Sequence, residues 1–170
     1  RFLSETDYGI YSAIGEFTLF FSVAANLGIF GNVVKRMADA PTDRNLFVNA
    51  LVLRVGSALV FFGVGLVTLV ATGSSSGFLL GSALFFGSLL FDYVTSVSDG
   101  MLQANYMMGR AMVASIAGRV VHTGVVFVLV NGYLFSTDYA LMFLAPLIGS
   151  VVTMVLTFIF SWRVLEGDFT

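Results

Sequence analysis

The chain has 170 residues, of which 58% belong to the hydrophobic set and 11% are charged, with a formal net charge of −2. A soluble globular domain carries about 25% charged residues, so this composition is that of a membrane protein. Nucleic acid is excluded as a partner because the basic residues stand singly or in pairs and form no patch. With no cysteine and a single histidine, disulfides, thiolate chemistry and a zinc centre are excluded as well.

Several apolar runs exceed the roughly 18 residues at which a spanning helix is the default reading, and short polar connectors separate them. Barrel strands would alternate over about ten residues and leave no such unbroken runs. The expected fold is an all-α polytopic transmembrane helix bundle, a single membrane domain over 1–170 with five spans at about 8–34, 46–71, 78–99, 110–133 and 139–162.

The first predicted helix carries Glu16 a third of the way along, and Gly28 and Gly31 loosen its end. In the turn KRMADAPTDRN, Pro41 forbids helix continuation and Thr42 or Asp43 can cap the next helix, which holds Arg54 near its start. The uncharged turn TGSSSG follows. The third helix then presents Asp92, Ser96 and Asp99 at spacings that share one face, flanked by Ser88 and Thr95. Ser115, Arg119 and His122 repeat that spacing on the fourth helix, and Pro146 is expected to kink the fifth.

Basic residues of short loops set membrane orientation. Lys35, Arg36 and Arg44 occupy the first loop, Arg110 the third, and Arg163 follows the last span; the second loop is uncharged and the fourth holds only Asp138. The loops at 35–45 and 100–110 and the C-terminus are therefore expected in the cytoplasm, in a multi-pass protein of the cell membrane. Tyr8, Tyr11, Tyr133 and Tyr139 suit an outer aromatic belt and Trp162 the inner one. The chain opens at Arg1 without a signal-peptide pattern. An odd number of spans beginning outside implies a preceding helix if the parent protein starts in the cytoplasm.

RFLSETDYGIYS at the start, NLGIFGNVVKRMAD at the end of the first helix and LQANYMMGRAMVASIAGRVV at the third loop resemble the polysaccharide and oligosaccharide flippase family, relatives of the multidrug and toxic compound extrusion transporters. That family has a segment like R-x-L-G-P-E-x-Y-G-x-Y after its first helix, a basic pair after its second and a leucine-glutamine turn before its fifth. Ser4, Glu5 and Thr6 stand here where it often has Gly-Pro-Glu, while Tyr8 and Gly9 are retained. The resemblance implies that the five spans are the second to sixth helices of a first six-helix lobe, with the first helix and the second lobe absent. It also implies a function: moving a lipid-linked, pyrophosphate-bearing sugar carrier across the cell membrane by alternating access, through a basic cavity, among polysaccharide-assembly partners and membrane lipids, with no cofactor and no enzymatic step.

Asp92 and Arg119 both fall roughly 10–14 Å above the inner ends of their predicted helices. They are expected to pair or to share a wet cavity, with Arg54 at a similar depth. Arg119 and Arg54 suit phosphate oxygens; the structural alternatives are a plain Asp92–Arg119 pair and an Arg54 that snorkels to the inner headgroups. His122 is either a phosphate-binding neighbour of Arg119 or a helix-to-helix hydrogen bond. Glu16, alone in its helix, is either a proton- or sodium-coupling site or a carboxylate wetted by the cavity. Asp99 and Arg110 read as belonging to the inner loop and its edge. Ser22, Asn26 and Gly118 read as packing points. The rivals to a transporter are an integral membrane glycosyl or lipid transferase using Asp92 and Asp99 with a divalent metal, and a non-transporting structural subunit.

Overall fold

A backbone surrounded by lipid must satisfy its N–H and C=O groups within its own segment, and long apolar runs therefore wind into helices. The computed structural model describes residues 5–26, 29–40, 43–131 and 139–166. They form α1 (Glu5–Asn26), α2 (Ile29–Asp39), α3 (Arg44–Ala71), α4 (Ser76–Ala104), α5 (Met108–Val130) and α6 (Leu144–Leu165), the last preceded by a 3-10 turn over Tyr139–Phe143. No strand occurs among the described residues. Five segments are long and apolar enough to cross a membrane: α1, α3, α4, α5 and the 3-10 turn together with α6. The protein is an all-α multi-pass bundle.

The helix ends follow local chemistry. Asp43 is the cap of α3, its side chain accepting from the backbone N–H groups of Asn45 at 2.9 Å and Leu46 at 3.2 Å. Past the end of α3, Gly73 takes φ +67°, open to a residue without a Cβ, and Ser75 Oγ accepts from Phe78 N at 3.3 Å to cap α4. Gly28, Pro41, Thr42, Tyr133 and Asp138 lie outside the described residues.

Three boundaries differ from expectation. Helix α2 carries the first predicted span past residue 34 to Asp39, into the expected loop; residues 27–28, between α1 and α2, lie outside the described residues. A segment carrying Lys35, Arg36 and Asp39 is two-sided: it exposes those three and buries Met37 among Phe47, Val97 and Met101 of α3 and α4. Helix α4 runs five residues beyond Asp99, to Ala104, because Met101 and Leu102 continue its buried face. Pro146 falls at the start of the last α-helix and not inside it. It is the third residue of α6, in the first turn, where its missing N–H forfeits no intrahelical bond.

Helix α4 is the axis of the bundle, touching α1, α2, α3, α5, α6 and the 3-10 turn. Gly81, Ser82, Ser88, Ser98 and Gly100 are buried along it, and small residues of this kind let helix backbones approach closely. On one side Phe62, Phe86 and Tyr93 stack with Ala25 and Ala58, the Phe62 and Phe86 ring centroids 4.6 Å apart. At the other end Leu102, Ala111 and Val164 join α4, α5 and α6. The outer face of α3 exposes Val52, Val60, Val64, Val67 and Val70, a surface suited to lipid.

Candidate functional site

Helix α6 packs broadly on both α4 and α5, whereas α4 and α5 barely meet. The two therefore stand as walls over α6 as a floor. Glycines set the spacing of floor and wall. A Cβ on Gly118 would lie 2.8 Å from the Gly149 carbonyl oxygen and run into the Thr153 side chain, and one on Gly149 would lie 2.9 Å from His122 Cβ. Between the walls is a cleft of about 440 Å³.

Its lining is polar in the middle of an apolar protein. Asp92, Thr95, Ser96 and Asp99 come from α4; Ser115, Gly118, Arg119 and His122 from α5; and Pro146, Gly149, Ser150 and Thr153 from α6. The i, i+4, i+7 spacing on α4 and on α5 turns each polar stripe to the same side. Antiparallel neighbours then bring the two stripes face to face.

Of the residues singled out in the sequence, Asp92, Arg119 and His122 all line this cleft. Asp92 and Arg119 share it without forming a pair: the Asp92 carboxylate accepts a 2.7 Å hydrogen bond from Ser150 Oγ on the floor. Arg119 is exposed and also borders a shallower groove with Ile116, Val120 and Thr123. The His122 imidazole hydrogen-bonds no described residue.

Arg54 and Glu16 are not in the cleft. Arg54 is 6% exposed; its Nη1 donates to Asn26 Oδ1 at 2.6 Å and its guanidinium lies 4.6 Å from the Tyr93 ring centroid. Tyr93 in turn donates to the Ser22 carbonyl at 2.6 Å. Arg54 therefore clamps α1 and α4 onto α3 and neither snorkels nor faces the cleft. Asn26 and Ser22 are hydrogen-bonding members of that clamp. Glu16 is exposed on α1 and does not line the cleft.

The cleft adds residues beyond the expected set. Asp99, expected at the edge of the inner loop, lies inside α4 and lines the cleft, and its Oδ1 is buried with no hydrogen-bond partner. Thr95 Oγ1 is in the same state. Ser150 and Thr153 form the floor; the signal for them was the stripe Ser150, Thr153, Thr157, Ser161 along α6. Among the described residues no group of three or more His, Cys, Asp or Glu side chains gathers to hold a metal ion.

Hydroxyls, two carboxylates, a guanidinium and an imidazole facing one another at membrane depth can hold a polar ligand in several ways at once. Fold and cleft together define the class: a multi-pass membrane protein with a charged cleft between its spans. The model of the polysaccharide biosynthesis protein family matches residues 1–169, and the chain belongs to that family, the family of lipid-linked sugar flippases. No match was found among curated proteins or among solved structures.

Proposed function

We propose that the protein is a transporter that flips a lipid-linked oligosaccharide or polysaccharide precursor across the cell membrane by alternating access, and that the cleft between α4, α5 and α6 is where the polar headgroup rests. The observation that carries this reading is the convergence of Arg119 and His122 on one wall and Asp92 on the other, in a chain of the polysaccharide biosynthesis family. A guanidinium matches phosphate oxygens and stays charged at membrane depth. Carboxylates and hydroxyls accept and donate to sugar hydroxyls, the roles assigned here to Asp92, Ser96 and Ser150. The transport itself makes and breaks no covalent bond and needs no cofactor. The basic residues of the loops at 35–45 and 100–110 and of Arg163 support a cytoplasmic side for those loops and the C-terminus.

The transferase reading has a geometric difficulty. Asp92 and Asp99 are seven residues apart on one helix, about 10 Å along its axis, too far to share one divalent ion. The direct test is flux of a polyprenyl-pyrophosphate-linked sugar through the full-length protein in liposomes. Arg119→Ala is expected to lower flux by about tenfold or more, the loss of one charge-assisted contact, with Arg119→Lys retaining part of it. Undiminished flux in folded Arg119→Ala protein would remove the phosphate role.

A further inference from the structure

The cleft is layered. Counting 1.5 Å per residue from the inner helix ends, Asp99 lies roughly 7 Å up α4 and Ser115 roughly 10 Å up α5, whereas Asp92, Arg119 and His122 all lie a turn or more higher. The upper layer has its own cations. The lower layer has a carboxylate and no cation lining the cleft at its level.

Two atoms on the α4 wall of the cleft have no hydrogen-bond partner, one in that lower layer and one a turn above it. Asp99 Oδ1 is buried, and so is Thr95 Oγ1 one turn away on the same face of α4, on a side chain only 8% exposed. A helical threonine ordinarily returns its hydroxyl to the carbonyl four residues back, as Thr157 does to Thr153 at 2.9 Å; Thr95 does not. A carboxylate oxygen cut off from water and from donors calls for a counter-charge. One carboxylate with neutral hydroxyl oxygens matches a single positive charge, and the lack of three converging acidic or imidazole groups among the described residues argues against a divalent or transition metal.

We propose that the Asp99 carboxylate and the Thr95 hydroxyl, with Ser115 facing them from α5, form a binding site for a monovalent metal cation at the inner end of the cleft. Hard oxygen ligands of this kind suit sodium. Its occupation offsets the Asp99 carboxylate charge beneath Arg119 and His122, so cation and phosphate bind more tightly together than apart. By linkage each raises the affinity of the other by the same factor. The cooperative half of the proposal rests on the phosphate role of the upper layer; the cation site itself does not.

The experiment is a thermal-stability and ²²Na⁺ binding measurement on the purified full-length protein, in NaCl against choline chloride at equal ionic strength, with and without inorganic pyrophosphate. A ligand that binds only the folded state raises its midpoint, so sodium is expected to stabilise the wild type. Thr95→Ala and the near-isosteric Asp99→Asn are expected to remain folded and to bind sodium at least about tenfold more weakly. Pyrophosphate is expected to tighten sodium binding. Equal midpoints in the two salts, undiminished ²²Na⁺ binding in Thr95→Ala, or a response to pH with none to sodium, which would assign the layer to a proton, each overturn the site. The titratable groups facing Asp99 in the cleft are Asp92 on its own helix and Arg119 and His122 on α5, and α6 contributes only the hydroxyls of Ser150 and Thr153. Sodium binding that is lost in Asp99→Asn but indifferent to pyrophosphate upholds the cation site and overturns the cooperative half with the headgroup reading.

Discussion

Asp92 and Tyr93 are consecutive, and a helix turns by about 100° between neighbours. That single step sends Asp92 to Ser150 in the cleft and turns Tyr93 out of it to another side of α4, under the Arg54 guanidinium. The clamp around Arg54 is a stability element. Arg54→Ala removes a buried charged hydrogen bond and a desolvated cation–π contact, and is expected to destabilise the protein by about 2–4 kcal/mol. Tyr93→Phe keeps the ring and loses only the hydroxyl bonded to Ser22, a loss of about 1 kcal/mol. Thermal unfolding in detergent orders the two, and flux per folded molecule should be unchanged in Tyr93→Phe. A larger loss for Tyr93→Phe than for Arg54→Ala would show that the clamp is not centred on the guanidinium. Elsewhere, Tyr106 sits at φ 58° in the turn between α4 and α5 with its side chain 97% exposed. Left-handed backbone disfavours a residue with a Cβ by roughly 1–2 kcal/mol. Tyr106→Gly is therefore expected to hold or raise the unfolding midpoint, and a clear drop would mean that the ring anchors the turn.

At the scale of elements, the cleft exists because α5 lies close on α6 while standing off α4. Gly118 and Gly149 permit that approach. Gly118→Ala puts a methyl group against the Gly149 carbonyl and the Thr153 side chain, and backbone cannot yield as a flexible side chain can. The expected cost is about 1–3 kcal/mol of stability, with altered flux because the wall carrying Arg119 and His122 shifts. Gly124→Ala, on the same helix but with open space at its Cβ, is the control and should be neutral in both measurements. Equal effects from the two substitutions would show that the α5–α6 contact is looser than described. The spans themselves were legible from unbroken apolar runs, and the polar stripes of α4 and α5 from their spacing. Asp99 was misassigned because helix length is hard to read where Gly100 and Gln103 interrupt an apolar run; only the packing of Met101 and Leu102 carries α4 past them. Arg54 was misassigned for another reason. Distance from a helix end predicts depth, but not which way the helix is rotated within the bundle.

For the whole molecule, the alternation of basic and uncharged loops predicts an orientation that chemistry can test directly. The chain has no cysteine, so a single introduced cysteine has no competitor within these 170 residues. Both Asp39, at the end of α2, and Ser76, at the start of α4, are exposed. In intact cells Ser76→Cys is expected to react with a membrane-impermeant maleimide, and Asp39→Cys only after the membrane is opened. The reverse pattern would invert the bundle and place the Asp99 layer at the outer end of the cleft.

Composition and period alone determined that this is a membrane protein, that it is all-α, that it carries five apolar spans, and that Asp92, Ser96 and Asp99 share one helical face as Ser115, Arg119 and His122 share another. These are local properties, because hydrophobic length and a 3.6-residue period act within one segment. Tertiary structure alone decided which faces meet. It set α6 beneath the two walls, gave Asp92 to Ser150 and not to Arg119, removed Arg54 to a clamp with Asn26 and Tyr93, and left Asp99 and Thr95 with unbonded oxygens. Those outcomes depend on the rotation and spacing of helices far apart in the chain, which are fixed by packing between them at glycines such as Gly118 and Gly149.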